Sequence, residues 1–145
     1  MSADPRVLYL AEPPAQYLAR PPVVVDCSVV TGFVFREPSM SQAHAKMDGR
    51  DLKGPHLLPL EIASVAPKKH NQGFADIASV GMEAYLSMSI ELSPVKPEQV
   101  LALAQRYNIS AYDAAYLWLA ADIKAPLATF DEKLGRAAQT HLASL

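Results

Sequence analysis

Val23-Val24-Val25-Asp26-Cys27-Ser28 is the stretch whose reading decides the fold. Three β-branched residues in a row, without polar alternation, predict a strand buried on both faces, as in a parallel sheet covered by helices. The run closes on Asp26. A carboxylate there is costly if it is buried and unpaired, so Asp26 reads either as a strand-end turn residue or as a group kept for chemistry. The same pattern returns near the C-terminus. Pro126–Thr129 reads as a short strand, and Asp131 follows it.

Working outward from these two strands, the chain alternates strand and helix. Ser28–Arg36 predicts a helix stopped by Pro38, and Ser39–Met47 a second one. Gly49–Gly54 reads as a turn-rich loop and His56–Leu58 as a short strand. Pro59 suits the first position of a helix running to about His70. Phe74–Leu86 predicts a further helix, Ile90–Leu92 a strand, and Pro97 the start of a helix ending near Tyr107-Asn108. In Ser110–Ile123 the residues Tyr112, Tyr116, Leu119 and Ile123 recur at helical spacing and predict one apolar face. Asp131–Thr140 closes the series as a helix. Repeated strand–helix–strand units imply an α/β fold with a central parallel sheet flanked by helices, three layers in all. Residues 1–22 stand apart as an N-terminal extension punctuated by Pro13-Pro14 and Pro21-Pro22, with Val7–Leu10 as a short strand or arm; residues 23–145 form the domain.

Four acids share a topological position. Asp26 and Asp131 lie at the C-terminal ends of strands, where open parallel sheets carry their sites. Glu61 follows Pro59 and Asp113 follows Ser110, each in the first turn of a helix that leaves the same sheet edge. Hard carboxylate oxygens suit Mg2+ or Mn2+, and helix N-termini favour anions. Each acid also has a structural reading. Ser110-x-x-Asp113 matches a capping pattern, Asp131 suits a helix N-cap, and Glu61 suits the helix dipole. Ser28 and Thr129 each sit two residues from an acid, so their hydroxyls can share its face, or serve as a helix cap and a strand residue.

Bulk properties narrow the classes. The chain has 145 residues, 50% hydrophobic and 19% charged, which excludes a disordered or fibrous chain. No apolar stretch approaches a membrane span, and residues 1–22 lack the basic start and apolar core of a signal peptide. The lone Cys27 has no internal disulfide partner and reads as a small buried filler, which points to a reducing cytoplasm. Net charge is −2, and discounting four metal-neutralised acids gives −2 + 4 = +2, so charge does not exclude RNA. Arg36, Lys68, Lys69, Lys133 and Arg136 are candidate phosphate contacts or plain solvated faces. His44, His56, His70 and His141 lack metal-ligand spacing, and Tyr116 and Trp118 read as core or interface. No glycine-rich phosphate loop is present.

Four segments resemble the motifs of PIN domains, especially VapC-like toxins. These are Val23–Ser28, Leu57-Leu58-Pro59-Leu60-Glu61-Ile62-Ala63, Ser110-Ala111-Tyr112-Asp113-Ala114-Ala115-Tyr116-Leu117, and Ala125–Leu134 with its Thr129-Phe130-Asp131. The likeness runs from Val23 to Ala138 with order and spacing kept. It departs from the family at Cys27, where Thr is common, in the long extension ahead of Val23, and in a short C-terminus. The resemblance implies a Mg2+- or Mn2+-dependent endoribonuclease with Asp26, Glu61, Asp113 and Asp131 as metal ligands, supported by Ser28 and Thr129. It further implies an RNA substrate, a homodimer, and inhibition by a small antitoxin protein. The alternative is a catalytically inactive PIN-fold module that binds protein or RNA.

Overall fold

In the computed structural model, which describes residues 6–13, 20–71, 73 and 75–145, strands and helices alternate as the apolar runs predict. The strands are β1 (Tyr9–Ala11), β2 (Pro22–Val25), β3 (Asp51–Pro55), β4 (Glu91–Ser93) and β5 (Leu127–Thr129). The helices are α1 (Cys27–Val34), α2 (Met40–Met47), α3 (Leu58–Asn71), α4 (Ala75–Ser87), α5 (Pro97–Tyr107), α6 (Ala111–Asp122) and α7 (Glu132–Ala143). Sheet order is β1-β5-β2-β3-β4. β5, β2, β3 and β4 pair in parallel, and β1 runs antiparallel to β5, with Leu10 opposite Ala128.

Val23, Val24 and Val25 are fully buried, as a strand covered on both faces requires. β2 registers with β5 through Val24–Leu127 and Val25–Ala128, which brings the ends carrying Asp26 and Asp131 side by side. Two helix groups cover the sheet. α1, α2, α3 and α4 pack on one another, while α6 packs against β2, β3 and β5 between α5 and α7. The result is the three-layer α/β architecture.

Several elements differ from the sequence reading. The strand expected at His56–Leu58 lies earlier, at Asp51–Pro55, and the loop expected at Gly49–Gly54 is confined to a turn at Gly49, whose φ is +72°. Polar Asp51 and Lys53 hide the strand in sequence, but β2 and β4 hold it extended from both sides, with Lys53 Nζ 2.7 Å from Glu91. Leu58 instead opens α3. The apolar face expected on α6 is also wrong in part. Residues Ala114–Ala120 are all buried, whereas Tyr112 and Ile123 at the ends are 68% and 37% exposed. A helix buried on nearly every side has no single stripe to read.

Part of the extension joins the domain. β1 lies on β5, and Tyr9 lies so close to Gly135 of α7 that a Cβ there would collide with Tyr9 Cγ. Residues 1–5 and 14–19 of the extension, Phe74 at the expected start of α4, and the side chain of His70 lie outside the described residues.

Gly81 closes the α1–α4 contact. A Cβ on it would collide with Phe35 Cδ1 and lie 2.8 Å from the carbonyl oxygen of Val34. The backbone oxygen cannot swing aside as a side chain can. Overpacking of this kind costs about 1–3 kcal/mol, against roughly 1 kcal/mol gained from alanine's helix propensity. Gly81→Ala is therefore expected to lower the melting temperature by up to roughly 8 °C, read by circular dichroism. A higher melting temperature would contradict this packing.

Candidate metal centre

Asp26 directly follows β2 and caps α1, because the chain turns from strand to helix there and the free helix N–H groups need an acceptor. Its Oδ1 accepts from the Val29 N–H (3.2 Å) and the Ser28 hydroxyl (2.6 Å), and its Oδ2 accepts from the Thr129 hydroxyl (2.5 Å). The carboxylate is only 4% exposed. Burial pushes its pKa up to about 6, and the Asp113 charge adds to the rise, against the three hydrogen bonds, which lower it.

The two hydroxyls also lace β2 to β5. Ser28 Oγ accepts the Phe130 N–H (3.0 Å), and Thr129 Oγ1 accepts the Asp131 N–H (3.0 Å). Ser28 and Thr129, read from sequence as neighbours of the acids, thus both hold Asp26.

Asp131 caps α7, its Oδ1 accepting the Leu134 N–H at 2.8 Å, as its capping reading expects. Ser110 caps α6 by accepting the Asp113 N–H at 3.0 Å, so Asp113 sits in the first turn beside the capping hydroxyl. Burial raises the pKa of Asp113, and the Asp131 charge raises it further, while Ser110 and Lys133 lower it. Glu61, in the first turn of α3, accepts the Tyr116 hydroxyl at 2.5 Å. Its pKa is raised by burial and by the Asp113 charge, and lowered by Tyr116.

Asp113 is therefore the electrostatic hub. Its charge is felt at Asp26 and Glu61, and it feels Asp131. Four carboxylates from four separate elements reach one edge of the sheet. Among the described residues, however, no three His, Cys, Asp or Glu side chains are grouped tightly enough to hold a metal ion as they stand. Each acid is drawn instead to its own helix start or hydroxyl, and like charges favour that spread. The donor chemistry suits a hard divalent cation, since every candidate ligand is a carboxylate oxygen.

Tyr116 is the residue that sequence reading missed. It is 1% exposed and belongs to the core, yet its phenol holds Glu61 from 55 residues away. The available signal was its place three residues after Asp113, on the same side of α6.

The candidate cations divide. Lys133 and Lys68 are exposed and act electrostatically on Asp113 and Cys27 respectively. Lys69 is paired with Glu37 (3.3 Å) and Arg136 with Glu132 (2.8 Å). Arg36, at φ +53°, lines a cavity with Val34, Asp76, Ile77 and Val80, away from the acids. The Cys27 thiol is pushed up to about 12 by burial and by the charges of Glu61 and Asp26, so it is no nucleophile. His141 is tied to the Tyr107 hydroxyl (2.9 Å), with its pKa lowered by burial and by Arg106, and His44 stacks on Phe33. A cavity of about 400 Å³ lies between α5, α6 and α7, lined by Gln99, Arg106, Trp118, Asp122 and His141. It sits at the far end of α6 from Asp113 and includes one acid only, so the carboxylate edge remains the stronger candidate for chemistry.

No curated protein matches the chain significantly. Among solved structures, the protein PAE2754 of Pyrobaculum aerophilum is similar in fold, with a TM-score of 0.62 and 23% identity over 85% of this chain and 95% of that one. No described helix is long and apolar enough to cross a membrane. A model of the PIN domain, a fold generally of nucleases, matches residues 23–139, a span that holds all four acids, and the chain therefore belongs to the PIN domain family.

Proposed function

We propose that the protein is a metal-dependent endoribonuclease that hydrolyses RNA phosphodiester bonds with Mg2+ or Mn2+, and that it is the toxin of a type II toxin–antitoxin pair. The observation that carries the nuclease reading is the coupling of Asp26, Glu61 and Asp131 to one hub, Asp113, at the strand ends. Three of the four have pKa values raised first by burial and further by a neighbouring carboxylate, so their charged forms are held at a cost. A bound cation relieves that repulsion.

Asp26, Glu61, Asp113 and Asp131 would hold the cation. When bound, it lowers the pKa of a water and neutralises charge gathering on the phosphodiester. The chain's own residues do the rest. Ser28 and Thr129 fix both oxygens of Asp26 and hold it ready as an anion. Tyr116 fixes Glu61 in the same way. Lys133, beside Asp113, is set to meet phosphate oxygens, and Lys68 extends the cationic rim. Attack of water on phosphorus breaks the P–O3′ bond, leaving a 5′-phosphate and, once the leaving oxygen takes a proton, a 3′-hydroxyl.

The toxin assignment rests on the resemblance of the four acidic motifs to VapC-like chains. It carries the expectations of a homodimer, a cytoplasmic setting and a small antitoxin protein that blocks the acidic edge. A second reading, an inactive PIN-fold binding module, has one observation in its favour: no three described ligands are grouped for a metal as they stand.

Metal titration separates the two. Mn2+ at 100 times its dissociation constant is expected to stabilise the fold by about 2.7 kcal/mol. Single-stranded RNA is expected to be cut with Mn2+ or Mg2+, and left intact in EDTA. A melting temperature indifferent to Mn2+, with no cleavage, would leave the binding module.

A further inference from the structure

We propose that Tyr112 is a stacking platform for a base of the RNA next to the cut phosphodiester; this deepens the nuclease reading and rests on it. Tyr112 is 68% exposed, although it directly precedes the half-buried Asp113 and the seven residues from Ala114 to Ala120 are all buried. Its ring makes no hydrogen bond or ring contact among the described residues. It stands in the first turn of α6, which the Ser110 cap fixes in place, so the ring is carried on a rigid element. Tyr112 and Tyr116 lie four residues apart, on one side of α6, and Tyr116 reaches Glu61 of α3. Leu60, the neighbour of Glu61, is 75% exposed. Tyr112 thus stands one helical turn before the residue that holds Glu61, with an open aromatic ring, and Leu60 adds an open aliphatic side chain in the first turn of α3.

Charge explains why such a platform is needed. The chain carries 13 Lys and Arg against 15 Asp and Glu. Of its cations, Lys133 and Lys68 act on groups at the acidic edge. Where acids outnumber cations, counterion release gives less affinity, and uncharged contacts supply a larger share of RNA binding. A nucleobase hangs one ribose from its phosphate, and a ring on the side of α6 that carries Tyr116 to Glu61 is placed to receive it. Stacking tolerates any base, because every base has a π-face.

The test uses the full chain carrying Asp26→Asn, so that RNA is bound but not cut, and a fluorescein-labelled single-stranded oligoribonucleotide read by anisotropy. Adding Tyr112→Ala is expected to raise Kd about tenfold without changing the salt slope, since no phosphate contact is lost. Tyr112→Phe is expected to stay within twofold. On a strand made abasic at the stacked position, the chains with and without Tyr112→Ala should bind alike, the penalty of the substitution having vanished. A Kd within twofold for Tyr112→Ala, the same loss on the abasic strand, or no RNA binding at all would overturn the platform; the first result would assign Leu60 and Tyr112 to a protein partner instead. Cleavage by the unmutated chain in Mn2+ is scored separately. Binding through Tyr112 without any cleavage would defeat the nuclease reading and leave the platform standing.

Discussion

Asp26→Asn is expected to reduce RNA cleavage by a thousandfold or more, on the order of the several kcal/mol that a bound cation contributes to a phosphodiester transition state. The same change is expected to make the metal-free protein more stable at pH 8. Asp26 is buried, and burial lifts its pKa from 3.8 to about 6 in the folded chain. A carboxylate whose folded pKa lies above its unfolded value favours the fold while protonated. That contribution is complete below pH 3.8 and is lost as pH rises through about 6. Above pH 6 the buried charge costs the fold ~3 kcal/mol. Asparagine removes this cost but disturbs the hydroxyl pair. Its amide cannot accept from Ser28, Val29 and Thr129 together, as the carboxylate does. A net gain of about 1–2 kcal/mol at pH 8, shrinking to nothing or reversing at pH 4, is the expected balance. Thermal unfolding of both forms in EDTA at the two pH values checks it. Equal stability throughout would mean that Asp26 is not held as a strained anion, and retained cleavage would remove it from the metal centre.

This pairing of lost activity with gained stability has a counterpart in what sequence could reveal. Asp26 stood out because an acid closing Val23-Val24-Val25 breaks a local rule at a cost, and broken local rules mark sites. The central strands β2 and β5 were legible for the same reason, since burial on both faces leaves an unmistakable apolar run. β3 was not, because its extended shape comes from its neighbours rather than from its own Asp51, Lys53 and Gly54. The exposure of Tyr112 was hidden by the assumption that a helix has one buried stripe, whereas α6 is enclosed through its middle and open at its first turn. The four acids were visible as positions at strand ends and helix starts. Their electrostatic meeting at Asp113 was not, because it depends on how β2, β5, α3 and α6 are brought together across the chain.

Tyr116→Phe should separate core from site at the one residue that serves both. The phenol is buried, and burial, the hydrogen bond to Glu61 and the charges of Glu61 and Asp26 all raise its pKa far above the usual range. It therefore remains a hydrogen-bond donor at every pH at which the protein works. That donation lowers the pKa of Glu61, against burial and the Asp113 charge. Phenylalanine keeps the ring's packing and deletes the donor, so the pKa of Glu61 rises further. Glu61 is half-buried, and water can replace the lost partner, so stability is expected to change by less than about 1 kcal/mol. Activity should respond more strongly. Losing a partner that orients a metal ligand typically costs about 10–100-fold. Because Glu61 must be ionised to hold a cation, the acid limb of the kcat/KM profile should move to higher pH. The deficit should be largest on the acid side and narrow as pH rises. A profile that drops uniformly at all pH values would make Tyr116 a packing residue whose effect is geometric, and an unchanged profile would take Glu61 out of the reaction.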